Sequence, residues 1–376
     1  MKYLLWLLRI VVGVLFIFSG LIKANDPLGL SYKMDEFFEV WHMYWAMPYS
    51  LGLSVAMIAF EIIAGVALLV GYGFRLFSFL LLLLTTFFTF LTAYVYLTDK
   101  IKECGCFGDC IKISNAETFW KDVILLVLVL ILFAFRKRIR PIFSGYPSVA
   151  VLVLTTFFAF GVQWWTLEHL PVYDCLPYKE GANLWEKSQL PPGSEPAVYE
   201  TMLTYEKDGV KKDFTMSDYP WQDSSWKYVD TKTKLIKEAT GEIAIKDFSI
   251  TDYDGNDQTQ NILRADGYVF LLFVRNTDKA RTDNLDRLKK MADEAEAADI
   301  PLYILSSDNQ QRTLEFLQRH NLVKFPAFAV DGTASKTGMR TNPGLMLLHD
   351  GTVQKKWSFR DYPRSASLRD GRLELN

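Results

Sequence analysis

Long apolar runs fill the first half of this 376-residue chain and give way to mixed polar and apolar sequence in the second. Five of them read as membrane helices: Leu4 to Leu21, Leu51 to Val70, Leu76 to Leu97, Val123 to Phe135 and Val149 to Trp165. Most are long enough to cross about 30 Å of hydrocarbon. The fourth run is short, and it spans only with Phe119 and Trp120 seated in the interface before it. The first run contains Arg9, exceeds the core of a signal peptide and lacks a small-x-small cleavage site, so it reads as a retained anchor.

Past Cys175 the pattern changes. SQLPPGSEP, Ser188 to Pro196, reads as a linker. YETMLTYEKDGVKKDFTM, Tyr199 to Met216, gives two strand-like runs around Asp208-Gly209, a hairpin signal. The apolar run YVFLLFV, Tyr268 to Val274, predicts a strand. An amphipathic helix over 282–298, a strand over Pro301 to Ser307, a helix over 310–320 and a hairpin over Pro343 to Trp357 follow. Strands alternating with helices and closed by a hairpin describe a layered α/β unit. The expected fold class is thus an α-helical transmembrane bundle of about five helices plus an α/β domain. The expected divisions are 1–140 for the first four helices, 141–170 for the fifth, 171–242 for a linker with the hairpin, and 243–376 for the α/β domain.

Composition agrees with a chain partly in lipid, at 50% hydrophobic and 22% charged residues. The net charge of −2, with no basic stripe, argues against nucleic acid as a partner. Orientation follows from the short-loop cations Arg136, Lys137, Arg138 and Arg140, which the cytoplasmic side retains. That placement puts the N-terminus inside and everything after the fifth helix outside. All 4 cysteines then fall on the external side, where disulfides persist.

The stretch ECGCFGDC, Glu103 to Cys110, gathers Cys104, Cys106 and Cys110 around two glycines. Flanking Lys102 and Lys112 favour a thiolate. A Cys104–Cys106 bridge closes a tight, easily reduced ring, whereas Cys106–Cys110 spans a comfortable loop. Cys175 follows the fifth helix closely enough to serve as a shuttle or as half of a second bridge. An even count of external thiols is equally satisfied by two ordinary staples. A metal site is disfavoured, because C-x-C-x3-C lacks paired knuckles and the 4 histidines are scattered. Arg9 and Glu61 are the ionisable residues that stand out within lipid-length segments, and they are expected to pair as a buried polar clasp; a proton or quinone site is the sharper alternative.

The Arg9 helix with its SGLIK ending, followed by Glu61, Gly65, Gly71 and Arg75, resembles the DoxX family, and the GCFG element, Gly105 to Gly108, resembles its MauE branch. That resemblance, over about the first 140 residues, implies membrane-bound redox chemistry coupled to quinone or protein thiols. The element order over Ile243 to Tyr362 resembles the thioredoxin-like fold, but RNTDKAR, Arg275 to Arg281, stands where that family carries its C-x-x-C. Asn342-Pro343 falls where it carries a proline, often cis, beside which partners bind. Together these imply a protein of a bacterial inner membrane whose periplasmic, dithiol-free domain recruits an envelope protein for thiol–disulfide exchange at Cys104, Cys106, Cys110 and Cys175. A domain without its own dithiol also invites a redox-active partner subunit. The rival expectation is a non-enzymatic scaffold with cysteines as permanent staples.

Overall fold

The computed structural model describes every residue except 1, 99, 102–107, 109, 112, 144, 196, 197, 208, 216, 217, 221, 222, 224, 238, 239, 242 and 247. Helix α1, Lys2–Asn25, is followed by a short helix α2, Pro27–Val40, that the hydropathy pattern did not announce. Its start is written locally: Asp26 accepts from the Gly29 N–H at 3.0 Å, and Pro27 takes the first turn, where a missing N–H costs nothing. A 3₁₀ turn, Tyr44–Tyr49, leads into α3, Ser50–Val70, which ends at Gly71 in the left-handed region with φ 77°. Then come α4, Phe74–Thr98, α5, Asn115–Ala134, opened by a Ser114/Glu117 capping box, and α6, Tyr146–Glu168.

Among the described residues, four stretches, Tyr3–Asn25, Tyr44–Val70, Phe74–Thr98 and Tyr146–Glu168, are long and apolar enough to cross a membrane. The fourth expected run lies in α5, which packs along α4 but carries Glu117, Lys121 and Asp122 in its first two turns. Those charges keep it out of that set by composition, so four of the five expected runs meet it among the described residues, while α5 still packs in the bundle against α4 and α1. Helices α1 and α3 approach closely: a Cβ on Gly65 would come within 2.8 Å of the Gly13 carbonyl oxygen.

The second half opens with a single-turn helix α7, Leu184–Lys187. The expected hairpin is present as β1, Val198–Lys207, and β2, Val210–Thr215, and a third strand β3, Lys227–Lys237, completes an antiparallel sheet in the order β2-β1-β3. A six-stranded sheet follows. Its elements are β4, Ile250–Thr251, α8, Thr259–Leu263, β5, Tyr268–Val274, α9, Leu285–Glu296, β6, Leu302–Ser306, α10, Gln310–Arg319, β7, Ala327–Val330, α11, Gly332–Gly338, β8, Gly344–His349, and β9, Thr352–Ser358. The order is β4-β7-β6-β5-β8-β9, with β5, β6 and β7 parallel and the other pairs antiparallel. A terminal hairpin, β10, Ala366–Arg369, and β11, Arg372–Leu375, closes the chain.

Strand β5 is apolar on both faces because both are covered. Phe270 and Leu272 pack with Leu288 and Met291 of α9 and Phe316 of α10. Leu271 and Phe273 pack on the other side with Phe248, Leu263 and Tyr178. Tyr178 is core, 2% exposed, with its ring edge-on to Phe248. Trp41 likewise packs among Phe37, Phe90 and Tyr94.

Candidate functional site between α1, α3 and α5

Ser19 and Lys23 stand four residues apart on α1, hence on one face. That face meets Glu61 of α3. The Lys23 ammonium donates to Glu61 Oε1 at 2.6 Å and the Ser19 hydroxyl donates to Oε2 at 3.0 Å. Lys23 is 3% and Glu61 1% exposed, so the pair is sealed from solvent. Desolvating two charges is costly, and their attraction together with the added hydroxyl hydrogen bond offsets that cost. Ser19, Lys23 and Glu61 form one polar wall of a cavity of about 450 Å³, Glu117, Lys121 and Asp122 of α5 border it too, and Phe16, Phe88, Trp120, Ile124 and Leu128 supply the apolar walls. Lys23 and Phe88 also border a second, apolar cavity of about 270 Å³ beneath α2, and the ammonium lies 5.0 Å from the Phe88 ring centroid. A polar head with a lipophilic body suits such a wall pattern.

Arg9 does not pair with Glu61. Its Nε donates to the Leu68 carbonyl at 2.5 Å, Nη2 to the Leu69 carbonyl and Nη1 to the Arg140 carbonyl at 3.2 Å. The last carbonyls of a helix have no intrahelical donor, and Arg9 serves those at the end of α3. Leu68 lies seven residues beyond Glu61, about 10 Å along the axis, so the two ionisable groups belong to different layers of the bundle. The expected clasp is therefore replaced by two separate devices. Sequence reasoning left Lys23 without a role, since it entered only as the last residue of the SGLIK stretch. Its spacing of four from Ser19 was the available signal.

Cys110 and Cys175 are joined in a disulfide, so the segment after α4 is stapled to the segment after α6. Cys110 is thus not bridged to Cys106. Cys104 and Cys106 lie outside the described residues. Gly108, two residues before Cys110, lies against Ile22, the neighbour of Lys23: a Cβ there would be 3.7 Å from the isoleucine side chain.

The α/β domain is tied to the same end of the bundle. Arg340 Nε meets Asp26 Oδ2 at 2.7 Å, and Arg275 donates to the Tyr32 hydroxyl. The cations of Arg275, Lys336 and Arg340 lie 5.2, 5.3 and 5.4 Å from the Tyr32 ring centroid. The Asn342–Pro343 peptide bond is cis. Pro343 is buried, and Asn342 is held by its own contacts, donating from Nδ2 to the Asn276 carbonyl at 2.7 Å and accepting from the Arg281 N–H at 2.9 Å. The loop ending at that proline therefore rests on α2 of the membrane half. Beside it, Lys356 meets Asp174 at 2.7 Å across a polar cavity of about 360 Å³ bordered by Leu170, Pro171 and Arg340. Burial pulls the Lys356 ammonium below the ordinary lysine range, against the opposing charge of Asp174. At the end of α6, His169 stacks on Trp165 and meets Asp361 at 2.8 Å.

The family profile described as methylamine utilisation protein MauE matches residues 1–135, and one described as a domain of unknown function, DUF8463, matches residues 199–238, the three-stranded sheet. No curated protein matches the chain. The MauE match and the four apolar helices together make the first half a membrane-protein half.

Proposed function

We propose that the protein is an inner-membrane thiol–disulfide redox protein acting on periplasmic partner proteins, with Cys104 and Cys106 as its exchanging dithiol. The observation that carries this reading is the Cys110–Cys175 staple beside α1. It commits two of the 4 cysteines to each other and leaves Cys104 and Cys106, the C-x-C that precedes Gly108 in the sequence, as the remaining pair. Cys175 is accordingly an anchor for the loop. In each exchange two electrons and two protons pass between the partner's thiols and the loop sulfurs.

The Ser19–Lys23–Glu61 wall fits a quinone, since an ammonium and a hydroxyl donate beside aromatic and aliphatic walls of the right chemistry for a prenylated ring. A quinone bound there supplies a two-electron, two-proton acceptor. Lys23 would orient a ring carbonyl, and Glu61 would hold or release a proton next to it. The cation cluster at Arg136 to Arg140 supports the N-in orientation that places the α/β domain in the periplasm. The parallel β5, β6 and β7 with antiparallel β8 and β9, and the cis proline opening β8, support a thioredoxin-like unit without its dithiol, resting on a DoxX-like bundle.

Quantitative alkylation of the protein in its native membrane, with and without mild reductant and quinone, and mapped to each cysteine, tests the reading. Cys104 and Cys106 should divide between thiol and disulfide in proportions that shift with quinone while Cys110 and Cys175 stay paired. Two bridges indifferent to both treatments would leave the scaffold reading.

A further inference from the structure

The opposite end of the bundle carries a charge pattern of its own. Residues 1–25, 62–98 and 123–167 contain no aspartate or glutamate, yet Arg9, Arg75, Arg136, Lys137, Arg138 and Arg140 gather where α3 ends, α4 begins and α5 gives way to α6. Among the described residues, none of these six cations has a carboxylate partner. Three of them, Arg9, Arg138 and Arg140, border a cavity of about 700 Å³ that Leu5, Trp6, Ile139 and Ile142 line on its apolar side. Arg9 is 2% exposed and already fixed by three carbonyls, so one guanidinium is pre-set, whereas Arg138 and Arg140 are exposed. Arg138 lies 5.2 Å from the Phe135 ring centroid, and the Arg140 carbonyl is held by Arg9.

We infer that this cavity is a headgroup site for an anionic phospholipid whose phosphate carries no cationic substituent. Guanidinium groups match phosphate oxygens in geometry and charge, and basic pockets between membrane helices suit acidic headgroups. The apolar wall decides between a lipid and a free anion. Leu5, Trp6 and Ile142 give an acyl chain a place to lie, and inorganic phosphate would leave that wall in contact with water. The site is independent of the redox reading, since it needs neither the cysteines nor Glu61.

The test uses the full-length protein in nanodiscs of phosphatidylcholine containing a minor fraction of phosphatidylglycerol. After mild delipidation, retained lipids are counted by native mass spectrometry. Phosphatidylglycerol should be enriched over its share of the disc, and Arg138→Gln/Arg140→Gln should reduce that enrichment about tenfold or more. Arg138→Lys/Arg140→Lys should retain most of it, and Lys211→Gln/Lys212→Gln on the exposed β2 strand should leave it unchanged. Formation of the Cys110–Cys175 bridge reports that each variant is folded. Equal retention of the two lipids, an unchanged enrichment in the double glutamine variant, or displacement of the lipid by inorganic phosphate alone would each overturn the assignment.

Discussion

Two lysines in this chain meet carboxylates at nearly the same distance, 2.6 Å for Lys23–Glu61 and 2.7 Å for Lys356–Asp174, and they occupy opposite kinds of surroundings. In the bundle both partners are sealed, and the cavity beside them is walled mainly by aromatic and aliphatic side chains. At the junction Asp174 is 24% exposed; further charges border both cavities, Glu117, Lys121 and Asp122 in the bundle and Lys179, Glu180 and Arg340 here, so water access to the pair itself is what differs. Ion-pair geometry alone therefore does not separate a site from a strut. The distinction lies in what water can reach, because a sealed pair beside an apolar space keeps its charges available to a ligand, while a half-wet pair is already answered by solvent.

The largest expected effect lies at the sealed pair. Glu61→Gln leaves the Lys23 ammonium buried without its counter-charge and should cost about 3–5 kcal/mol, read as a lowered unfolding midpoint in mixed micelles. Lys23→Met combined with Glu61→Leu should recover most of that loss while abolishing the proposed quinone-linked thiol oxidation, which would separate packing from chemistry at one site. A double variant that kept its activity would erase the contrast between the two lysines. Next in size is the staple. Cys110→Ser removes a cross-link between residues 65 apart in sequence and should lower stability by about 2–4 kcal/mol, seen by comparing unfolding with and without reductant.

Asp174→Asn should cost less than Glu61→Gln, about 2 kcal/mol, because water already shares that carboxylate. Its pH dependence sharpens the comparison. Lys356 has a folded-state pKa pulled down by burial, so between that value and the ordinary lysine value of about 10.4 the unfolded chain binds more protons. Stability should rise with pH across that window. Asp174→Asn should extend the window downward, since the charge that supports the ammonium is gone. A slope of the opposite sign would show Lys356 to be favoured as the cation. The smallest effect belongs to Tyr32→Phe, which deletes one hydrogen bond from Arg275 and keeps the ring contacts, at about 1 kcal/mol in equilibrium unfolding.

The elements that sequence revealed are those whose cause is local. β5 matches its expected bounds, Tyr268 to Val274, because a seven-residue apolar run has few alternatives. α10 matches to within one residue through its Asn309 cap. Helix α2 was missed because PLGLSYKMDEFFEV mixes charges with a proline and a glycine, although Asp26-Pro27 is a helix-start signal. β7 was missed because AFAV offers only four residues between Pro326 and Asp331. The site depends on distance across the fold. Glu61 was visible as an ionisable residue in a lipid-length run, but charge complementarity alone chose Arg9, and the register of α1 against α3 selects Lys23. Four cysteines allow three pairings, and placing them all on one face does not choose among them.

The cross-link between Cys110 and Cys175 also sets an order of events. The bond encloses α5 and α6, and its second sulfur is made 65 residues after the first. It closes only once both helices have been laid into the bundle and the chain has returned to the face it left after α4. The staple is therefore a record of completed insertion: a molecule that carries it has already threaded its last two bundle helices, and a cut in the Arg136 to Arg140 loop would leave the two fragments covalently one chain until the bridge is reduced.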